Sequence, residues 1–300
     1  MHSDLETFLE RYEKQKKKFE QQLAEGKITQ EKYDEWLQRQ AGNKEYLHGM
    51  ADSLTRDLNN RNKIAASMIR GHMREVFVQN ANYAEFSIER FVGFNTSFNM
   101  YNVWTVDRLI RKKPNLLPKV QVDDRKDHAW NSPKLRNAIT QGILKGEGIP
   151  KIAKRLEEIF GMNQKASVRN ARTATTAAQN GGRLETYYEA DEMGIHVKKM
   201  WMANVDTRTR HSHRLLDGQV KELHQDFDLQ MSNKKIKYPG DPTAPAEEIW
   251  NCRCRVVGIL RGDDFDASDL SKRYSRIPKS IGYEDWKKMK SAEVEDEEAS

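Results

Sequence analysis

The chain has 300 residues, 37% of them hydrophobic and 32% charged, with a formal net charge of +6; its mean hydropathy of -0.89 is polar for one compact globule and suits long, exposed helices. No apolar run approaches the roughly 18 residues of a membrane span, and Met1-His2-Ser3-Asp4-Leu5-Glu6 lacks the basic and apolar regions of a secretory signal. The expectation is a protein made and kept in a cytoplasm, without a membrane partner. Its two cysteines, Cys252 and Cys254, supply no disulfide framework.

Helical punctuation dominates the first two thirds. Ser3 and Glu6 have capping-box spacing, and Leu5, Phe8, Leu9, Tyr12, Phe19 and Leu23 recur on one helical stripe up to Gly26. Thr29 is placed to cap a second short helix through Trp36 and Gln40, and a longer periodic stretch runs from about residue 45 to 78. Residues 1–78 therefore read as an extended helical arm whose stripe at Leu5, Phe8, Leu9 and Tyr12 awaits a partner. Residues 79–131 are Asn-rich and interrupted by Lys113-Pro114 and Leu117-Pro118, and read as an irregular linker. This stretch holds a basic group, Arg108, Arg111, Lys112, Lys113 and Lys119, interleaved with Tyr101 and Trp104. Such a set can bind DNA nonspecifically or form the wet face of a half-buried helix.

Ser132-Pro133 reads as an N-cap with proline in the first helical position, starting a helix to Leu144; a second helix is expected from Pro150 to Gly161 and a third from Gln164 to Met193, stopped by Gly194. Gly181 and Gly182 inside the last are costly for a helix and suggest close approach by another backbone. Beyond Gly194, short strands are expected at 196–205, from Val220, and at 255–260, joined by loops rich in Asp, Asn, Gly and Pro. The last ten residues carry Glu293, Glu295, Asp296, Glu297 and Glu298 without a base, which leaves about +11 on residues 1–290. That basic body is drawn to polyanions, and the acidic end is expected to be disordered. The fold class is α+β: long helices over the N-terminal two thirds and a small mixed domain with short strands.

Two clusters could carry chemistry. The first is His211-Ser212-His213 with Cys252-Arg253-Cys254. In extended chain, residues two apart share a face, so His211, His213, Cys252 and Cys254 could form a tetrahedral zinc site. The cysteines could equally sit reduced as small buried hydrophobes, or close a strained local disulfide. The second comprises Trp201, Asp206, Thr207, Arg208, Thr209, Arg210, His213, Asp217 and Gly218. These residue types serve phosphodiester chemistry when they face a metal-bound or His-activated water, and they also build ordinary polar turns. With no second acidic cluster at metal-binding spacing, the structural reading leads and no catalytic residue is assigned. A P-loop, a nucleophile elbow, a dinucleotide-binding glycine fingerprint and an H-E-x-x-H helix are all missing.

Taken in order, Ala171-Arg172-Thr173, Asn180-Gly181, Arg183, Trp201, Asp206-x-Arg208-Thr209-Arg210, His213, Leu216-Asp217-Gly218 and Asn251-Cys252-Arg253-Cys254 resemble the Mu F-like head-morphogenesis family, the minor head proteins of tailed phages. The resemblance covers roughly 135–260, within an expected domain of 132–262 followed by an extension over 263–300. Ala174 stands where the family often has an acidic residue, which speaks against a catalytic Arg-acid couple. The resemblance implies a low-copy, non-enzymatic head component that associates with the portal protein and with capsid or scaffold proteins, ends in the virion, and is placed to contact or accompany double-stranded DNA. Similar proteins are sometimes fused to toxin domains, an activity not expected of the segment seen here. The rival expectation is a metal-dependent, nuclease-like enzyme built on the His/Cys cluster.

Overall fold

A computed structural model describes residues 2–42, 44–96, 98–230 and 233–299, with the side chains of 2–4, 44–46 and 294–299 left out of the description. The chain divides into two compact units, residues 1–67 with 121–168, and residues 68–120 with 169–300. Both interrupt the expected order of arm, linker and domain, because each of two long helices contributes residues to both units. The α+β class is as expected.

The first unit contains α1 (His2–Ala24), α2 (Gln30–Ala41), the start of α3 (Lys44–Val92), α5 (Asp124–Leu144) and the start of α6 (Ile149–Glu192). Gly26 leaves α1 at φ +68, a left-handed stop that glycine adopts without steric cost. Thr29 caps α2, its side chain accepting from the Lys32 amide. The Ser3 side chain, and with it the expected capping box, lies outside the described residues. Leu9 and Tyr12 are buried in a core with Trp36, Leu37, Leu47, Leu135, Ile139, Ile143, Ile152 and Leu156, and Leu5 and Phe8 pack against it. The stripe read as awaiting a partner is thus covered within its own unit, and residues 1–67 are not an extended arm. Trp36 is the aromatic centre, stacked on Tyr12 at 5.8 Å and on Phe19 at 4.8 Å.

Two helix boundaries differ from expectation. The α5 helix begins at Asp124, capped by Asp123, which accepts from the Arg125 and Lys126 amides; Pro133 lies inside it, and the Ser132 hydroxyl donates to Asp52 instead of capping. A carboxylate accepting two amides nine residues earlier outcompetes Ser132 as the start, and buried Leu135, Ile139 and Ile143 hold the helix together across the proline. The α6 helix runs unbroken through Gly161, where a Cβ would meet nothing within 4 Å; that glycine is a weak point of propensity and no stop.

In the second unit, α3 continues through residues 79–92, which are not the expected irregular linker. After it come β1 (Phe94–Asn95), α4 (Val103–Lys112) and the rest of α6, then β2 (Lys198–Met202), α7 (His211–Leu216), β3 (Val220–Lys221), β4 (Phe227–Leu229), β5 (Lys234–Ile236), α8 (Ala246–Ile249), β6 (Arg255–Ile259), α9 (Ala267–Arg273), β7 (Ser275–Arg276) and α10 (Tyr283–Ala299). The principal sheet is antiparallel in the order β3-β2-β6, with Trp201 opposite Val256 and Met202 opposite Arg255. Pairs β1–β7 and β4–β5 complete the strands described. Gly194 ends the α6 segment at φ +85. Gly182 is required by contact: a Cβ there would stand 2.6 Å from the Phe77 carbonyl of α3, the close backbone approach that the sequence suggests.

The acidic end is helical where disorder is expected, since α10 runs to Ala299. Its anchor is Trp286 and Lys290, both buried. The indole donates to Glu89 at 2.6 Å and the Lys290 ammonium lies 2.9 Å from the same carboxylate, while the Thr96 amide and hydroxyl also donate to it. Burial pushes the Glu89 carboxyl up, opposed chiefly by Lys290. No helix of the described residues is long and apolar enough to cross a membrane.

Candidate functional site

One face of α6 builds the site. Thr173, Thr176 and Asn180 are buried and recur at helical spacing, and each holds a part of the segment before and into β6. The Thr173 hydroxyl accepts from the Asn251 amide at 3.1 Å, Thr176 donates to the Cys252 carbonyl at 2.6 Å, and the Asn180 amide donates to the Cys254 and Pro239 carbonyls at 3.1 and 2.8 Å while its oxygen accepts from Val256. A helix here replaces the missing neighbour of a strand, satisfying backbone groups that would otherwise be buried unpaired. Asn251 enters this clamp at φ +53, a left-handed conformation that asparagine tolerates better than most residues. Further along α6, Arg183 donates to Asn80 at 2.9 Å, and Arg172 is exposed. Ala174 is buried, in a position where a carboxylate would have to be desolvated.

The loop after β2 is tied by Asp206. Its carboxylate accepts from the Arg208 amide at 2.9 Å, the Thr209 hydroxyl at 3.1 Å, and both terminal nitrogens of Arg253 at 2.6 and 2.7 Å. The Arg253 fork holds this carboxyl well below the usual carboxylate range. Every acceptor direction of Asp206 is committed within the chain, which argues for a brace and against a general base. Arg210 donates to the Trp250 carbonyl, Asp217 accepts from the Ala203 amide at 2.7 Å, and Gly218 turns at φ +75. Thr207 and Arg208 lie on the turn itself, Arg208 at 3.8 Å from Asp206.

Beneath this loop, His213, Cys252 and Cys254 come together, all buried. His213 Nδ1 lies 3.6 Å from Cys252 Sγ and 3.4 Å from Cys254 Sγ, and the donor atoms of the three residues fall within 4.8 Å of one another. Trp201 stands edge-on to the imidazole at 5.1 Å. On its other side, His213 Nε2 is 3.1 Å from Glu248 Oε2, out of line for a hydrogen bond and otherwise unpartnered; Ser212 donates to the same oxygen at 2.9 Å. The neighbouring Cys252 side chain and the imidazole pull the Cys254 thiol down, while Cys254 and burial push the Cys252 thiol up. Both cysteines are free thiols.

His211 does not join them. It is exposed on α7, because residues two apart on a helix point to nearly opposite sides, and the extended conformation assumed for 211–213 is not the one formed. Glu248, Ser212 and Thr176 are site residues that sequence reasoning missed. Glu248 sits in the four-residue α8, with no spacing that marks it as a partner of His213. Glycine 240 was a readable signal: at φ +85, a Cβ there would stand 2.9 Å from the Ala177 amide of α6.

The basic group stays on the surface. Arg108, Arg111, Lys112, Lys113 and Lys119 are all exposed on or after α4, beside Trp104 at 82% exposure. Lys113 is engaged at 2.9 Å by Glu185. Tyr101 is buried and donates to Glu189, so it is no stacking platform.

The profile of the family described as Phage Mu protein F like protein matches residues 133–257. The Minor head protein GP7 of Bacillus phage SPP1 is 29% identical over 239 residues, 77% of this chain and 74% of that protein. The NAD(+)-arginine ADP-ribosyltransferase EFV of Enterococcus faecalis is 30% identical over 152 residues, 50% of this chain but only 30% of that protein. A protein of Haemophilus influenzae is 25% identical over 177 residues, 56% of this chain and 36% of its own length. No solved structure matches the chain. The matched segment contains the whole α6 clamp, the Asp206 brace and the His213 cluster, so it is this part of the chain that is similar to the phage Mu protein F-like family.

Proposed function

We propose that this chain is a minor head protein of a tailed phage, a non-catalytic component acting in head assembly at or near the portal and residing in the virion. The observation that carries the reading is the likeness to the SPP1 minor head protein, which spans most of both chains and so includes residues of both compact units. The geometry around the loop after β2 supports it: Asp206, Arg210, Arg253 and Asn180 are spent on the chain's own backbone and on one another, as braces are. Partners of the expected kind are the portal protein and capsid or scaffold proteins. The exposed basic group on α4 supports nonspecific contact with double-stranded DNA, whose affinity should then fall steeply as salt rises.

Particles assembled without this chain test the reading. They are expected to lose infectivity or DNA content, and particles of normal composition, filling and infectivity would refute it. The rival, a nuclease-like enzyme on the His/Cys cluster, requires strand cleavage that His213→Ala abolishes.

A further inference from the structure

We propose that His213, Cys252 and Cys254 form a zinc site, with two thiolates and one imidazole as ligands and Glu248 as the carboxylate that positions the imidazole. Around a tetrahedral zinc, with Zn–S near 2.3 Å and Zn–N near 2.05 Å, an imidazole nitrogen and a thiolate sulfur lie about 3.6 Å apart. The two His213 Nδ1–Sγ distances are 3.6 and 3.4 Å. One nitrogen faces both sulfurs, as a common ion requires. The opposite nitrogen faces only Glu248, 3.1 Å away and out of line for a hydrogen bond; a small turn of the imidazole onto the ion would let it donate that N–H to the carboxylate, the pairing that fixes the tautomer of a metal-bound histidine.

Cysteines that served merely as small apolar filler would not need a buried imidazole aimed between them, nor a carboxylate behind it. Charge also balances. Binding a divalent cation releases the two thiol protons to solvent, and the two thiolates then neutralise the ion inside an apolar surround of Trp201, Leu216, Phe227 and Ile236. Three protein donors leave the fourth position of a tetrahedral ion to water. The ion would tie α7 to the segment that α6 clamps, joining the two parts of the site through one bond set. This assignment stands apart from the head-assembly reading, since a head protein and an enzyme could each carry such a site.

Elemental analysis of the full chain, purified from zinc-supplemented cells without chelator, is expected to give close to one zinc per chain. The Cys252→Ser/Cys254→Ser double variant should hold less than a tenth of that. Because that variant could fail to fold, the unchanged chain is also stripped and titrated with cobalt(II); thiolate-to-cobalt charge-transfer absorption should appear and saturate at one equivalent. Glu248→Gln is expected to keep the spectrum while weakening metal affinity by about 10- to 100-fold. An unchanged chain that takes up neither zinc nor cobalt at one equivalent, or a double variant that binds as well as the unchanged chain, overturns the assignment.

Discussion

The two compact units are held together by different physics. The first is helix against helix, with an apolar core that gathers around Trp36. In the second, buried polar side chains reach across to backbone: Asn180, Thr176, Asn82 and Glu89 each satisfy groups from distant segments. Apolar packing tolerates many sequences of similar volume, whereas a side chain bonded to particular carbonyls and amides admits few replacements. That contrast explains why recognisable motif residues concentrate between Thr173 and Cys254, and why the N-terminal helices carry a pattern but no signature.

The sharpest way to break the comparison is Trp36→Ala. Removing the ring stacked on Tyr12 and Phe19 should cost about 3–5 kcal/mol. Hydrogen exchange is expected to quicken first in residues 1–67 and 121–168; a uniform rise over the whole chain would deny the units their separate cores. Next in size is Asn180→Ala, which strands the Cys254 and Pro239 carbonyls and the Val256 amide in a buried place and should cost about 3 kcal/mol. Denaturant unfolding measures it, and a loss within experimental noise would mean the clamp is dispensable.

A subtler test uses pH. Lys199 is wholly buried in the central strand β2, donating to the Lys237 carbonyl at 3.0 Å, and desolvation pulls its ammonium down from 10.5 to about 8, against the opposing pull of Asp226 and Asp241. Between those two values the unfolded chain holds a proton that the folded chain has given up, so stability contributed by this residue rises with pH across that window and is flat outside it. The wild type should gain up to about 3 kcal/mol relative to Lys199→Met from pH 8 to 10.5. Parallel stability curves for the two proteins would show that the lysine is not buried as a cation.

What the sequence made legible follows the same division. Thr29, Gly26 and Gly194 were readable because caps and left-handed stops are local chemistry. Residues 79–92 were misread because asparagine locally favours loops, yet here Asn80 receives Arg183 and Asn82 exchanges two bonds with the Tyr101 backbone. Those are tertiary bonds, and no window of sequence contains both partners. Likewise His213 and the cysteines could be named from composition, but choosing between His211 and His213 needed the helical turn of α7, and Glu248 needed the fold that sets it behind the imidazole.

The central claim, that this chain is a structural part of a phage head, is tested most directly by the composition of purified heads. Mass spectrometry of DNA-filled particles should find it in every preparation, at a copy number far below that of the major shell subunit and resistant to washing. Its absence from purified heads, with all of the protein recovered as a separate species, would contradict the account.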